Sequence, residues 1–134
     1  MNKPAKIMVV EDSSRARSAL AAFMSLQAGI QISAEASNGL EAISKIKSCP
    51  PDIVIMDMQM PVMDGLEAIK IIKKRWPWIK VIALTMYHNY RSKAYSAGAD
   101  AFLVKGCSVA ELISTVYNLT QTNTVDNSKS KNSQ

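Results

Sequence analysis

The stretch that decides the fold spans residues 53–65 and reads Ile-Val-Ile-Met-Asp-Met-Gln-Met-Pro-Val-Met-Asp-Gly. Its first four residues form a continuous apolar run, which is typical of a parallel strand covered on both faces. Asp57 follows that run directly, so we expect its carboxylate at the end of a strand. Asp64 with Glu67 three residues later is a capping-box pattern, which predicts the start of a helix.

The same alternation of strand and helix occurs five times along the chain. Further apolar runs lie at 5–10, 81–84 and 101–104, and a weaker one lies at 30–36. Helical patterns separate them, with capping boxes again at Asn38 with Glu41 and at Ser108 with Glu111. Right-handed crossovers between such units predict an α/β fold, a flavodoxin-like (βα)5 domain whose five-stranded parallel sheet has order 2-1-3-4-5 and helices on both faces.

Two segments differ from this pattern. Residues 89–97 offer little apolar area, so a helix there should be weakly held and easily shifted. After about residue 120 the composition becomes polar, with little to bury. We therefore predict a domain over 1–120, followed by a polar disordered tail or the start of a linker over 121–134.

Length and composition narrow the function classes. A chain of 134 residues is long enough for one domain with a core. It has no apolar stretch of membrane-spanning length and no secretory signal, so the sequence predicts a cytoplasmic protein without membrane contact. The net charge of +5 could indicate nucleic acid, but the densest basic run, 70–80, is interpreted as the solvated end of a helix.

Polar residues close four of the predicted strands. Glu11 and Asp12 follow the first strand, Asp57 the third, Thr85 the fourth and Lys105 the fifth. In the predicted order the first and third strands are neighbours, so three carboxylates should meet at the switch point and recruit Mg²⁺. Thr85 and Lys105 suit the oxygens of a transferring phosphoryl group, and Asp57 can act as its nucleophile.

Beyond these inferences, the sequence resembles the receiver domains of two-component response regulators. The resemblance covers residues 5 to about 120, and its motifs are Glu11-Asp12, Asp57, Met60-Pro61, Asp64-Gly65, Thr85, Gly98-Ala99 and Lys105. It implies that Asp57 is phosphorylated by a sensor histidine kinase or a phosphotransfer protein, and that the backbone carbonyl of Gln59 completes the Mg²⁺ shell. It also implies that Thr85 and Phe102 are switch residues. Local motifs are most similar to NarL and LuxR-like transcriptional regulators.

The resemblance leads to expectations about output. Phosphorylation should change the face around the fourth helix, fifth strand and fifth helix, controlling an effector domain or a partner in transcriptional regulation. A phosphorylation-dependent homodimer is a further expectation, and DNA would be reached only through an effector domain absent from this chain. The alternative is a stand-alone receiver that acts as a phosphorelay shuttle or an interaction switch.

Met86 and Tyr87 follow Thr85 and are bulky. We expect them to limit access of water to the phosphoryl group and so to lengthen the life of the phosphorylated state.

Other function classes conflict with specific residues. A flavin carrier of this fold would need a phosphate-cradling loop after the first strand, where Glu11-Asp12 would repel phosphate. A phosphatase with an aspartyl nucleophile would usually have a second acid at the position of Gln59. We therefore expect a regulatory domain and not an enzyme, apart from its own phosphoryl transfer and autodephosphorylation. Constitutive DNA binding stays open on charge alone.

Overall fold

The five apolar runs form a five-stranded parallel sheet. In this computed structural model the backbone is described for residues 3–132 and the side chains for residues 3–120. The strands are β1 (Ala5–Val10), β2 (Ile30–Ala36), β3 (Ile53–Asp57), β4 (Lys80–Thr85) and β5 (Ala101–Val104). They are arranged β2-β1-β3-β4-β5, all parallel, so the predicted fold class and strand order are confirmed.

The helices of the described part are α1 (Ser14–Ser25), α2 (Gly39–Ser48), α3 (Gly65–Arg75), α4 (Arg91–Ala97) and α5 (Val109–Asn132). Of these, α2, α3 and α5 begin where the capping patterns predict. Asn38, Asp64 and Ser108 each accept a hydrogen bond from the amide three residues later, at 2.8, 3.0 and 3.0 Å. These bonds satisfy amide donors that have no partner inside the first helical turn.

Side chains of the sheet pack into two layers of core. One face of β1, β3 and β4 packs against α2, α3 and α4 through residues such as Val54, Ile69 and Val81, none of which has exposed surface. The other face packs against α1 and α5, where Met24 and Val116 are equally buried. Burial on both sides explains why these strands are continuous apolar runs.

The helix α4 is the short exception. A 3₁₀ turn at His88–Tyr90 precedes it, no side chain caps its start, and only Ala94 and Ala97 are buried. It ends at Gly98, whose φ of +115° favours glycine; a Cβ there would also lie 2.9 Å from Cγ of Lys73. This small apolar contact agrees with the weak attachment predicted for residues 89–97.

The backbone of α5 continues beyond the predicted domain boundary. The sequence predicted a disordered tail or the start of a linker from residue 121, whereas the backbone is helical through Asn132. Extending an existing helix costs less than nucleating one, which allows a polar segment to continue it. The division into a domain over 1–120 and a tail or linker stays a prediction, and residues 133 and 134 lie outside the described part.

The edge strand β2 is irregular. Ile7 pairs with Ile32, but the next residue, Met8, pairs with Ala34. Ser33 is therefore an extra residue in β2, which is a β-bulge. Its Oγ is buried without a hydrogen-bond partner in the described structure.

Candidate phosphoacceptor and metal site

Three carboxylates meet at the carboxyl ends of β1 and β3. Val10 pairs with Met56 in the sheet, so the residues that follow these two strand positions are also neighbours. Carboxylate oxygens of Glu11, Asp12 and Asp57 all lie within 4.8 Å of one another. Glu11 and Asp57 are buried, whereas Asp12 is exposed. The predicted acidic cluster is thus present in the structure.

Lys105 is the cation of this cluster. Its Nζ donates a 2.7 Å hydrogen bond to Oε1 of Glu11 and lies 3.3 Å from Oδ2 of Asp57. The sequence predicted Lys105 near Asp57 but did not predict Glu11 as its nearer partner. One ammonium group faces three carboxylates, so the cluster keeps an excess of negative charge.

The pKa values of the cluster follow from burial and from these pairs. Burial raises the pKa of Asp57, the charge of Glu11 raises it further, and Lys105 offsets only part of this rise. Burial also acts to raise the pKa of Glu11, but hydrogen bonds from Lys105 and from the amide of Ser13 bring it below its ordinary value. For Lys105 burial lowers the pKa, and its two carboxylate partners outweigh that effect and raise it. Of the two buried carboxyl groups, Asp57 is therefore the one whose ionised form is disfavoured.

Thr85 ends β4, the strand beside Asp57. Its side chain is buried, and its Oγ1 accepts a 3.4 Å hydrogen bond from the amide of Tyr87. Its carbonyl accepts a 2.7 Å hydrogen bond from the amide of Lys105, which joins the ends of β4 and β5. Thr85 and Lys105 thus occupy adjacent strand ends at the same edge of the sheet.

Phe102 lies inside the core and not on the surface. It pairs with Ala83 in the sheet and is 7% exposed. The guanidinium of Arg91 lies 5.9 Å from the centroid of its ring and 5.3 Å from that of Tyr95. Arg91 therefore covers the Phe102 ring from α4, a contact that sequence patterns did not indicate.

Gln59 connects the loop after β3 to the 3₁₀ turn before α4. Its amide lies 3.4 Å from Oδ1 of Asp57, and its Nε2 donates a 3.2 Å hydrogen bond to the hydroxyl of Tyr90. Tyr90 lies in the segment 89–97, whose sequence pattern gave no indication of this bond. The link joins the loop after Asp57 to the 3₁₀ turn that precedes α4.

The loop from β3 to α3 is held close to the site by Gly65. The amide of Gly65 donates to the carbonyl of Met58 at 3.0 Å, and a Cβ on Gly65 would lie 2.8 Å from Cα of Met58. Only glycine allows this approach. Val62 in the same loop has a φ of 70°, an uncommon backbone conformation for a β-branched residue.

Met86 and Tyr87 lie at the rim of this edge, with 63% and 50% of their surface exposed. Both side chains are available to solvent, whereas Thr85 before them is buried.

The donor set fits Mg²⁺. Glu11, Asp12 and Asp57 supply only hard oxygen ligands, and their unbalanced negative charge favours a divalent cation. The resemblance to receiver domains implied the carbonyl of Gln59 as a further ligand; the amide of Gln59 lies near Asp57, and its carbonyl as a ligand stays a prediction.

Comparisons with known proteins agree with this geometry. Residues 7–117 match the family described as response regulator receiver domain. The response regulator protein VraR of Staphylococcus saprophyticus is 36% identical over 120 residues, which is 86% of this chain and 57% of VraR. The chain therefore spans somewhat more than half the length of that curated relative.

Solved structures extend the likeness to three dimensions. A DNA-binding response regulator of the LuxR family from Staphylococcus aureus has a TM-score of 0.81 at 33% identity, covering 86% of this chain and 98% of the other. Response regulator TrrA from Thermotoga maritima, solved in complex with Mg²⁺ and BeF, has a TM-score of 0.79 at 36% identity with the same two coverages. Within the described residues, no helix is both long and apolar enough to cross a membrane.

Proposed function

Since this chain belongs to the family of response regulator receiver domains, we propose that Asp57 accepts a phosphoryl group from a sensor histidine kinase or a phosphotransfer protein. One observation carries the assignment: Asp57 is the buried carboxylate with the raised pKa, and it shares its pocket with Glu11, Asp12 and Lys105. Carboxylates with perturbed pKa values that share one pocket are typical of functional sites.

In the proposed reaction, an oxygen of Asp57 forms a bond to phosphorus while the bond from phosphorus to the donor's histidine nitrogen breaks. Glu11, Asp12, Asp57 and the carbonyl of Gln59 would hold Mg²⁺, which when bound neutralises charge on the phosphoryl oxygens. Lys105 supplies the second positive charge, since its ammonium already lies 3.3 Å from Oδ2 of Asp57. The hydroxyl of Thr85 donates to a phosphoryl oxygen after turning away from the Tyr87 amide.

The signal then passes to α4 and β5. Movement of Thr85 frees space beside Phe102, and Arg91 must shift because it covers that ring. The Gln59–Tyr90 hydrogen bond offers a second route, from the loop after β3 to the 3₁₀ turn before α4. Because few apolar contacts hold α4, a local charge change suffices to bias its position.

The output belongs to the same proposal. Control of transcription through an effector domain, a phosphorylation-dependent homodimer and a cytoplasmic location all stay predictions, as does contact with DNA through an effector domain. The alternative, a stand-alone phosphorelay shuttle, would show itself as rapid transfer of the phosphoryl group from this chain to a phosphotransfer histidine.

The test is phosphorylation by acetyl phosphate with Mg²⁺, followed by intact-protein mass spectrometry. We expect one added phosphoryl group in the wild type and none in Asp57→Asn. Asp64→Asn is the matched control, because asparagine caps a helix as well as aspartate does and α3 should be retained. An undiminished adduct in Asp57→Asn would refute the assignment.

We further propose that Met86 and Tyr87 shield the acyl phosphate from water. Both are exposed at the rim of the site. Met86→Ala and Tyr87→Ala should therefore speed loss of the phosphoryl group, measured as decay of the phosphoprotein in equal Mg²⁺. Leu26→Ala, a change at an exposed residue beyond the far end of α1, should leave the decay unchanged. Unchanged or slower decay in both site variants would remove this role.

A further inference from the structure

A groove between α3 and α4 lies outside the phosphoacceptor site. It has a volume of about 390 Å³ and is lined by Leu66, Lys70, Ser92, Lys93, Ser96 and Ala97. Leu66 and Ala97 form apolar surface, the two serines offer hydroxyl groups, and the two lysines contribute positive charge. This combination resembles a binding groove with an apolar floor and a few polar groups that fix orientation.

The lysines of the groove lack the partners that neutralise other lysines of the chain. Lys45, Lys73 and Lys105 each form an ion pair with a carboxylate. Among the described side chains, neither Lys70 nor Lys93 has a carboxylate within ion-pair distance, and Lys93 instead lies 5.6 Å from the centroid of the Tyr90 ring. Two exposed ammonium groups therefore face one groove, and no carboxylate of the described side chains pairs with either.

The two elements that form the groove carry more positive than negative side chains. Over α3 and the segment 88–97, the carboxylate of Glu67 is opposed by six cationic side chains: Lys70, Lys73, Lys74, Arg75, Arg91 and Lys93. Lys73 is paired with Asp100, so five of these cationic side chains stand against the one carboxylate of Glu67. Lys74 follows Lys70 by four residues and extends the same face of α3.

We propose that this groove is the docking site for an acidic segment of a partner protein. Carboxylates of the segment pair with Lys70 and Lys93, and an apolar side chain between them rests on Leu66 and Ala97. A protein segment fits better than a nucleic acid because the lining contains no arginine, the residue best suited to bidentate phosphate contacts. The proposal is independent of phosphoryl transfer at Asp57.

The test uses the synthetic peptide Asp-Glu-Leu-Leu-Glu-Asp with both ends blocked, titrated into the ¹⁵N-labelled full chain. We expect saturable shifts of the amide signals of Lys70, Ser92, Lys93 and Ser96. Added salt should weaken binding of the peptide, because salt screens exposed charges. Absence of shifts at these four residues would overturn the proposal.

Charge-changing variants distinguish binding in the groove from an effect of the overall charge of the protein. The double variant Lys70→Glu/Lys93→Glu should bind the acidic peptide at least about tenfold more weakly, since two attractive pairs become repulsive. Lys3→Glu/Lys47→Glu is the control, as both residues are exposed and the net charge changes equally. Lys70→Gln/Lys93→Gln repeats the test without introducing new acids. Equal losses in the groove and control doubles would contradict the site.

Two further ligands test the chemistry. Asn-Gln-Leu-Leu-Gln-Asn should bind at least about tenfold more weakly than the acidic peptide if the ammonium groups recognise carboxylates. A short DNA duplex should not displace the acidic peptide from the groove. Equal binding of the neutral peptide, or displacement by DNA at equal concentration, would overturn the proposal in favour of an apolar or a nucleic-acid site.

Discussion

Two lysines bind carboxylates at opposite edges of the same sheet, and only one of them lies in a balanced cluster. At the amino-terminal edge, Nζ of Lys73 donates to Oδ2 of Asp100 at 2.9 Å and to the carbonyls of Ile79 and Pro77 at 2.8 and 3.1 Å. The same oxygen of Asp100 accepts a 2.8 Å hydrogen bond from the amide of Val81. All the polar groups named here are paired, so this cluster ties α3, β4 and β5 together.

At the carboxyl-terminal edge, one ammonium group faces three carboxylates. Lys105 contacts Glu11 and Asp57, and Asp12 adds a third carboxylate. Burial and the neighbouring charge of Glu11 raise the pKa of Asp57, and the excess of negative charge favours a bound cation. The balanced ion pair of Lys73 joins structural elements, whereas the unbalanced carboxylates beside Lys105 are the candidate for chemistry.

Breaking the balanced cluster should have the largest effect on stability. Asp100→Asn removes the counter-charge of Lys73 and weakens the acceptor of the Val81 amide. We expect the free energy of unfolding to fall by about 2 kcal/mol, the size typical of hydrogen bonds to charged groups. Urea unfolding monitored by circular dichroism measures it. A loss no greater than that of an exposed change such as Asp64→Asn would show that the cluster contributes little.

The same change in the unbalanced cluster should act in the opposite direction. Without Mg²⁺, Asp57→Asn should raise the free energy of unfolding by on the order of 1 kcal/mol, because it removes a carboxylate whose ionised form is disfavoured, while Lys105 keeps Glu11. Mg²⁺ should raise the melting temperature of the wild type but not that of the variant. A destabilised variant, or an equal response to Mg²⁺, would contradict this account.

The stability of the wild type and that of Asp57→Asn should depend differently on pH. The pKa of Asp57 is raised by burial and by Glu11, so the folded state takes up a proton before the unfolded state does. In Mg²⁺-free buffer, the contribution of this group to stability therefore rises as pH falls through the raised pKa towards the unfolded value. The difference in stability between Asp57→Asn and the wild type should shrink over that range. A constant difference would exclude Asp57 as its source.

The smallest expected effect on stability concerns Glu41, a hydrogen-bonded carboxylate whose side chain is partly exposed. Hydrogen bonds from the amide and hydroxyl of Ser37, at 2.7 and 2.8 Å, and one from Lys45 lower the pKa of Glu41 to about 2. Its contribution to stability is thus present above the ordinary pKa of 4.5 and is lost as pH falls towards 2. The side chain is 38% exposed, so solvent screening reduces the effect of Glu41→Gln to about 0.5 kcal/mol at neutral pH.

The difference between wild type and Glu41→Gln should narrow in acid unfolding curves. Glu67→Gln, at the same position of α3, controls for the loss of a negative charge near a helix start. If both variants behave alike at every pH, the Ser37 hydrogen bonds carry no specific stability.

Sequence patterns predicted the strands because each strand is defined by local composition. The runs at 5–10 and 101–104 coincide with β1 and β5, and the run at 53–56 is extended only by Asp57 itself. Capping residues such as Asn38 fixed helix starts for the same reason, since a side chain and an amide three residues away suffice to form the motif. The strand order then brought the acidic residues together.

Contacts between distant elements could not be predicted in this way. Lys105 and Glu11 are 94 residues apart, and the preference of that lysine for Glu11 over Asp57 depends on side-chain positions of a few tenths of an ångström. The Gln59–Tyr90 bond depends on the 3₁₀ turn that precedes α4. A turn of three residues is too short to be recognised from the spacing of apolar residues. Packing and loop geometry, not pattern, decide such contacts.

The bulge at Ser33 has a consequence for the behaviour of the protein at high concentration. An edge strand offers unpaired backbone groups on which a strand of another molecule can assemble into a growing sheet. The extra residue disturbs the regular spacing of β2 at one edge, and β5 at the other edge has only four residues. Neither edge presents a long regular template, so the sheet is protected against intermolecular strand addition and the aggregation that follows from it.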